Sequence, residues 1–321
     1  MSFIPGSLTR QTWPRAARLA GAALLLAGLL AGAASAQPAG PDRSNVAIGF
    51  SSKVIGNAKR SDLTAAMRAW INALAKERKL NFDARVEVFD SIGELSSALR
   101  QEKLDVLSVS MEDFIALERQ YPMTGIFTMK ANGRPGDQYV LLIRRDAAEK
   151  SLADLRGKAI VVLDTPRAML APVWLDTELL RKRLPVLARF FGKITYADKA
   201  NMAIMPLFFR RSEAALMTRS GFETACELNP QLGRDLVVLM TSPGLVSSLG
   251  AFRANATSAS VAVYRHEALK VGETVSGKLI LNLFQAEAIV ELKESDLRET
   301  RELLAEHARL LAGAPRKAGP P

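Results

Sequence analysis

Two rhythms of apolar positions alternate along this chain. Short β-branched or aliphatic runs at 46–50 (VAIGF), 84–89 (ARVEVF) and 105–109 (DVLSV) read as strands. Between them, Leu63, Met67, Trp70 and Leu74 recur at helical spacing behind Ser61, a capping residue. Ile92, Leu95 and Leu99 line a second helix. This order, strand–helix–strand–helix–strand, calls for a parallel sheet covered by helices.

The rhythm then repeats. Strands are expected at 139–144 (YVLLIR), 159–163 (AIVVL), 214–217 and 236–240 (LVVLM), with a short extended piece at 194–196. Helices are expected at 168–182 and at 202–211, the latter made less regular by Pro206. Ser151 and Asp154 form a capping box for a short helix that Gly157 ends. A strand at 259–264 and helical stretches at 277–292 and 296–311 complete the reading. Two α/β sets and a C-terminal helical return predict two lobes with a cleft between them. Ligands of open sheets sit beyond the carboxyl ends of the strands, so the loops that follow strands are the ones to inspect.

The first residues have a different character. Arg10, Arg15 and Arg18 precede an apolar run at 19–32, and Ala34-Ser35-Ala36 then offers small residues for cleavage before Gln37. The run is short for a membrane span, so residues 1–36 read as a Sec-type signal peptide. An uncleaved anchor is the competing reading. No cysteine stands at the cleavage point, which excludes a lipoprotein. Residues 314–321 read as a disordered tail.

Composition narrows the chemistry. The 321 residues are 48% hydrophobic, enough for two cored lobes. One cysteine (Cys226) and two histidines (His266, His307) exclude the usual zinc sets and disfavour haem and iron–sulfur ligation, and no cofactor is expected. The formal charge of +10 falls by three when the leader leaves, and its basic residues are scattered among few aromatics, so no nucleic-acid partner is expected. Neither GxSxG, HExxH, GxGxxG nor a Walker loop is present, so the chain does not read as an enzyme.

The stretches at 90–117 (DSIGELSSALRQEKLDVLSVSMEDFIAL), 139–144 and 151–166 (SLADLRGKAIVVLDTP) resemble the periplasmic phosphonate-binding-like substrate proteins of ABC importers, within the type II solute-binding superfamily. The likeness is one of pattern from about 46 to 240. It implies an α/β Venus flytrap, each lobe a mixed, mostly parallel sheet flanked by helices. Lobe one would comprise 45–140 and 250–313, and lobe two 145–240, joined by two crossings. It also implies a soluble periplasmic monomer that closes over a small ligand and delivers it to an ABC permease. The alternative is a flytrap-fold protein with a degenerate pocket that passes a signal to a membrane sensor.

Candidate ligand residues follow from the loops. Ser51 and Ser52 come after the first strand, where a plain turn competes with anion binding. Ser110 follows the third strand, at a place where the resemblance implies a cleft contact. Tyr139 could stack on a ligand or belong to the core. Relatives carry a Ser/Thr-rich loop ending in glycine after the first strand of lobe two; here 164–170 reads DTPRAML, keeping Thr165 as a hydroxyl. Arg167 in that loop offers a guanidinium fork for carboxylate or phosphate, unless it pairs with Asp164. Thr218 and Arg219 follow a further strand. Together these point to a small anionic ligand.

Export gives the first test. The mature chain should begin at Gln37, with or without cyclisation to pyroglutamate, when the intact mass of exported protein is measured. Protein found in the membrane fraction with residues 19–32 retained would overturn the leader reading.

Overall fold

The computed structural model describes residues 44–56, 59–77, 79, 82–131 and 133–313. The expected signal peptide and C-terminal tail lie outside these residues. The first lobe opens with β1 (Ser44–Ser51), α1 (Ser52–Ile55), α2 (Arg60–Glu77), β2 (Phe82–Phe89), α3 (Ile92–Arg100), β3 (Val106–Ser110), α4 (Met111–Glu118) and β4 (Met123–Lys130). α2 buries the stripe Leu63, Met67, Trp70, Ile71 and Leu74. Ser91 caps α3 by accepting from the Glu94 N–H, and Ser110 caps α4 by accepting from the Asp113 N–H.

The second lobe follows with β5 (Tyr139–Arg144), β6 (Ala159–Leu163), α5 (Ala171–Arg181), α6 (Leu187–Phe190), β7 (Lys193–Ala197), α7 (Ala200–Phe208), β8 (Ala214–Thr218), α8 (Arg219–Leu228), α9 (Pro230–Asp235) and β9 (Leu236–Thr241). Every residue of β5 except Arg144 is buried, as its unbroken apolar run requires. The chain then returns through β10 (Ser248–Arg253), α10 (Ala259–Ala268), α11 (Val275–Leu283), β11 (Ala288–Glu291) and α12 (Glu294–Gly313). Among the described residues no helix is long and apolar enough to cross a membrane.

Two mixed sheets result, in the orders β11-β4-β10-β3-β1-β2 and β7-β6-β8-β5-β9. In the first, β1 pairs parallel with β2 and β3, while β10 and β11 run antiparallel to their neighbours. In the second, β6 pairs parallel with β7 and β8, and β5 lies antiparallel between β8 and β9. The parallel share is therefore smaller than the sequence reading expected, because the returning strands enter each sheet from the other lobe. Each sheet has a separate apolar cluster on either face, so each lobe has its own core.

Three expectations fail locally. Residues 259–264 form part of α10, not a strand: Ser258 accepts from the Val261 N–H, and Val261, Tyr264 and Ala268 bury one helical stripe. Residues 277–292 divide into α11 and the edge strand β11. The strands β4 and β10 went unread, since Gly250 interrupts the apolar run of β10 so that the Phe127 ring can lie against its backbone.

The lobes join where two crossing segments lie side by side. Asp137 and Leu245 exchange backbone hydrogen bonds, each 2.9 Å, and the Tyr139 N–H donates to Ser242 Oγ at 2.7 Å. Gly136 is required there, because a Cβ at that position would stand 2.8 Å from the Leu245 carbonyl oxygen. α12 ties this junction from outside. Thr300, fully buried, accepts from the Val246 N–H at 2.9 Å. Leu297 sits in a first-lobe core and Leu303 in a second-lobe core. Residues 294–313, expected wholly with lobe one, thus also pack on lobe two, and Arg181 of α5 holds Glu306 at 2.6 Å.

Thr300→Val should lose roughly 1–3 kcal/mol by stranding the buried Val246 N–H, whereas Thr300→Ser should stay near wild type. Gly136→Ala should cost about 1–3 kcal/mol through overpacking. Denaturant unfolding of the three variants checks both statements.

Candidate functional site

The carboxyl ends of β1, β3 and β6 face a cavity of about 700 Å³ between the lobes. Ser52 and Lys53 enter it from the start of α1, Ser110 from the end of β3, and Asp164, Thr165 and Arg167 from the loop after β6. Phe284, Gln285 and Ala286 close it from the end of α11. A neighbouring cavity of about 580 Å³ lies against the starts of α7 and α8 and is lined by Asn201, Thr218, Ser220 and Thr224. Both lie where a two-lobed α/β protein presents its loops.

Of the residues expected from the sequence, Ser52, Ser110, Thr165 and Arg167 line the first cavity, while Thr165, Arg167 and Thr218 line the second. Ser110 and Thr218 also act as helix caps, so each hydroxyl oxygen already accepts from a backbone N–H three residues on. Three others line neither cavity. Ser51 is buried, its Oγ accepting from the Lys53 N–H at 3.4 Å. Tyr139 is fully buried and donates its hydroxyl to the Arg167 carbonyl at 3.0 Å, supporting the loop from behind. Burial holds that phenol well above its ordinary range. Arg219 turns away to Thr241 Oγ1 at 2.9 Å and to Glu223 at 3.6 Å.

Arg167 does not pair with Asp164. Its Nε donates to Asp137 Oδ2 at 3.1 Å, its Nη2 donates to Asp137 Oδ1, and its Nη1 donates to the Gln285 carbonyl at 3.4 Å. The sequence reading missed Asp137. A single acid just before a strand has no distinctive pattern, and its partner lies 30 residues away. Lys53 and Asp198 were missed for the same reason. Ser247 and Ser248, at the second crossing, also line the first cavity.

The cavity's charges do not favour a bare anion. Its lining carries Glu112, Asp137, Asp164 and Asp198 against Lys53 and Arg167. Both cations are already held, Lys53 by Asp113 at 2.9 Å and Arg167 by Asp137. Among the described residues, Glu112, Asp164 and Asp198 have no ion-pair partner. Pro166 also removes one backbone N–H from the loop after β6.

Burial raises the Asp137 carboxyl above its ordinary value, although hydrogen bonding and the charge of Arg167 pull it down. A raised folded-state value means that Asp137 favours stability in its protonated form, and that this contribution is lost as pH rises through the raised value. The stability of wild type relative to Asp137→Asn should therefore be greatest in acid and decline as pH rises past the ordinary carboxylate range. Denaturant titrations at a series of pH values check the slope, and a difference that grows with pH would contradict it.

The chain matches the family of ABC-transporter phosphonate periplasmic substrate-binding proteins over residues 54–297. No curated protein matches it. Among solved structures it resembles XAC2383 from Xanthomonas citri bound to chloride ion, with TM-score 0.59 and 16% identity over 84% of this chain and 99% of that one. A binding protein component of an ABC phosphonate transporter, PA3383 from Pseudomonas aeruginosa, gives TM-score 0.56 and 16% identity over 87% and 91%. PhnD1 from Prochlorococcus marinus in complex with methylphosphonate gives TM-score 0.55 and 11% identity over 83% and 99%. These likenesses support the two-lobed type II binding-protein fold, and the match over most of the chain shows that this protein belongs to the phosphonate-type periplasmic substrate-binding family.

Proposed function

We propose that this protein captures a small solute bearing both an acid group and an amine, and presents it to the permease of an ABC importer. The charge balance of the first cavity carries the reading. A plain anion would meet three unpaired carboxylates there and two cations already neutralised. An ammonium group would instead be stabilised by Asp164 and Asp198 on the lobe-two side. The acid group fits the opposite wall, where the Ser52 and Ser110 hydroxyls can donate and the half-exposed Lys53 ammonium keeps N–H donors beyond the one given to Asp113. The anionic ligand expected from the sequence thus becomes an acid with a cationic partner group. Family membership supports a transport role over catalysis.

Calorimetric titration of the mature protein tests this with methylphosphonate, inorganic phosphate, aminoalkylphosphonates and amino carboxylates. The amine-bearing compounds should bind at least about tenfold more tightly than their plain counterparts, in line with a charge-assisted contact worth roughly 1.5–3 kcal/mol. Asp164→Asn should weaken the amine-bearing compounds and bind the plain anions no less tightly than wild type. Equal or tighter binding of methylphosphonate would overturn the ligand class. A panel with no binder would favour the degenerate-pocket protein that signals to a membrane sensor.

A further inference from the structure

We infer that Arg167 is a specificity-determining wall, which divides the cleft into two compartments and limits the length of solute it accepts. The inference rests on the proposed ligand class for its binding test but on geometry for its origin. The two cavities share Ala131, Thr165, Arg167, Asp198, Gln285 and Ala286, contributed by both lobes. Across that common boundary runs a single bonded path. The Arg167 side chain leaves the loop after β6, grips Asp137 of the first crossing, and reaches the Gln285 carbonyl at the end of α11.

Each end of this path is fixed. Behind Arg167, the buried Tyr139 hydroxyl donates to its carbonyl at 3.0 Å. Beside it, Pro166 packs against Gly56 so closely that a Cβ on Gly56 would lie 2.6 Å from the proline ring. At the far end, Gln285 adopts a φ of 52°, a left-handed conformation uncommon for a residue with a side chain. This residue closes α11: the Gln285 N–H donates to the Asn282 carbonyl at 3.1 Å and the Ala286 N–H to the Leu281 carbonyl at 2.8 Å. The Gln285 carbonyl is left to accept from Arg167. The same helix-ending geometry recurs at Glu102, Arg183 and Arg210, and at Gln285 it fixes the direction in which the carbonyl points.

A guanidinium neutralised by a bidentate carboxylate has little charge left for a ligand's acid group. Its effect on a solute is therefore steric. A compound whose amine and acid both fit the first compartment meets Arg167 as a boundary, and a longer one would have to displace the Arg167–Gln285 contact to enter the second.

Arg167→Ala alone would leave Asp137 as a buried, unpaired carboxylate, so the informative protein is the double variant Arg167→Ala with Asp137→Asn. Wild type and double variant are titrated by calorimetry with unbranched ω-aminoalkylphosphonates from aminoethyl to aminooctyl. Wild-type affinity should fall by about tenfold or more beyond a limiting chain length, and the double variant should recover about that factor for longer members while holding the shortest within about threefold. Parallel length profiles, or a uniform loss across the series, would overturn the wall. If wild type binds none of the series, the ligand class fails, and amide exchange decides the wall separately. Exchange at Gln285 and Ala286 should quicken by about tenfold in the double variant, since opening there no longer breaks a contact. Unchanged exchange at those amides would overturn it.

Discussion

Asp137 is bonded in two directions, and the arrangement of the molecule depends on both. Its backbone N–H and C=O pair with Leu245, which holds the two crossing segments side by side. Its carboxylate holds Arg167, which forms the boundary within the cleft. A rotation that disturbs the crossing therefore acts on the cleft through a single residue. Burial works against the charge this residue must carry, and the ion pair offsets it because Arg167 meets the carboxylate with two donors. Replacing either partner alone strands the other.

The junction is also restrained from outside. α12 places Leu297 in one lobe's core and Leu303 in the other's, and Thr300 holds the crossing between them. Arg301 adds a bidentate pair with Glu118 of α4, while Glu306 pairs with Arg181 of α5. Hinge motion in such a fold is confined to the few residues that absorb the change in backbone angles. α12 thus spans both lobes beside the two crossings.

Much of the fold was legible because its signals are local. Runs such as VAIGF and YVLLIR, buried by both layers of helices, read as strands without knowledge of their neighbours. What escaped notice depended on a sequence-distant neighbour in the sheet or on a cap just outside the run. β10 contains a glycine chosen for the Phe127 ring, and 259–264 carried β-branched residues whose helical stripe becomes evident only with Ser258 as its cap. The cleft divides in the same way. Hydroxyls at the ends of strands, Ser110 and Thr218, could be read from position because they also cap the following helices. Asp137 could not, and neither could the turning of Arg219 toward Thr241, since both contacts are set by long-range pairing. The nearest acid in sequence, Asp164, proved a poor guide to where Arg167 would go.

The loop after β6 sets the form of the cleft. The resemblance implied hydroxyls and a closing glycine here; this chain has Thr165, Pro166 and Arg167. Proline supplies no N–H for an anion, yet its ring fills the space against Gly56, whose positive φ of 55° and lack of a Cβ admit it. The next residue then turns its charge onto Asp137 and not into the cavity. The same three positions thus withdraw anion donors, bring the two lobes into contact and divide the space between them. Selection in such a cleft depends on where a solute carries its charges and on how far apart they lie, more than on the strength of a single anion contact.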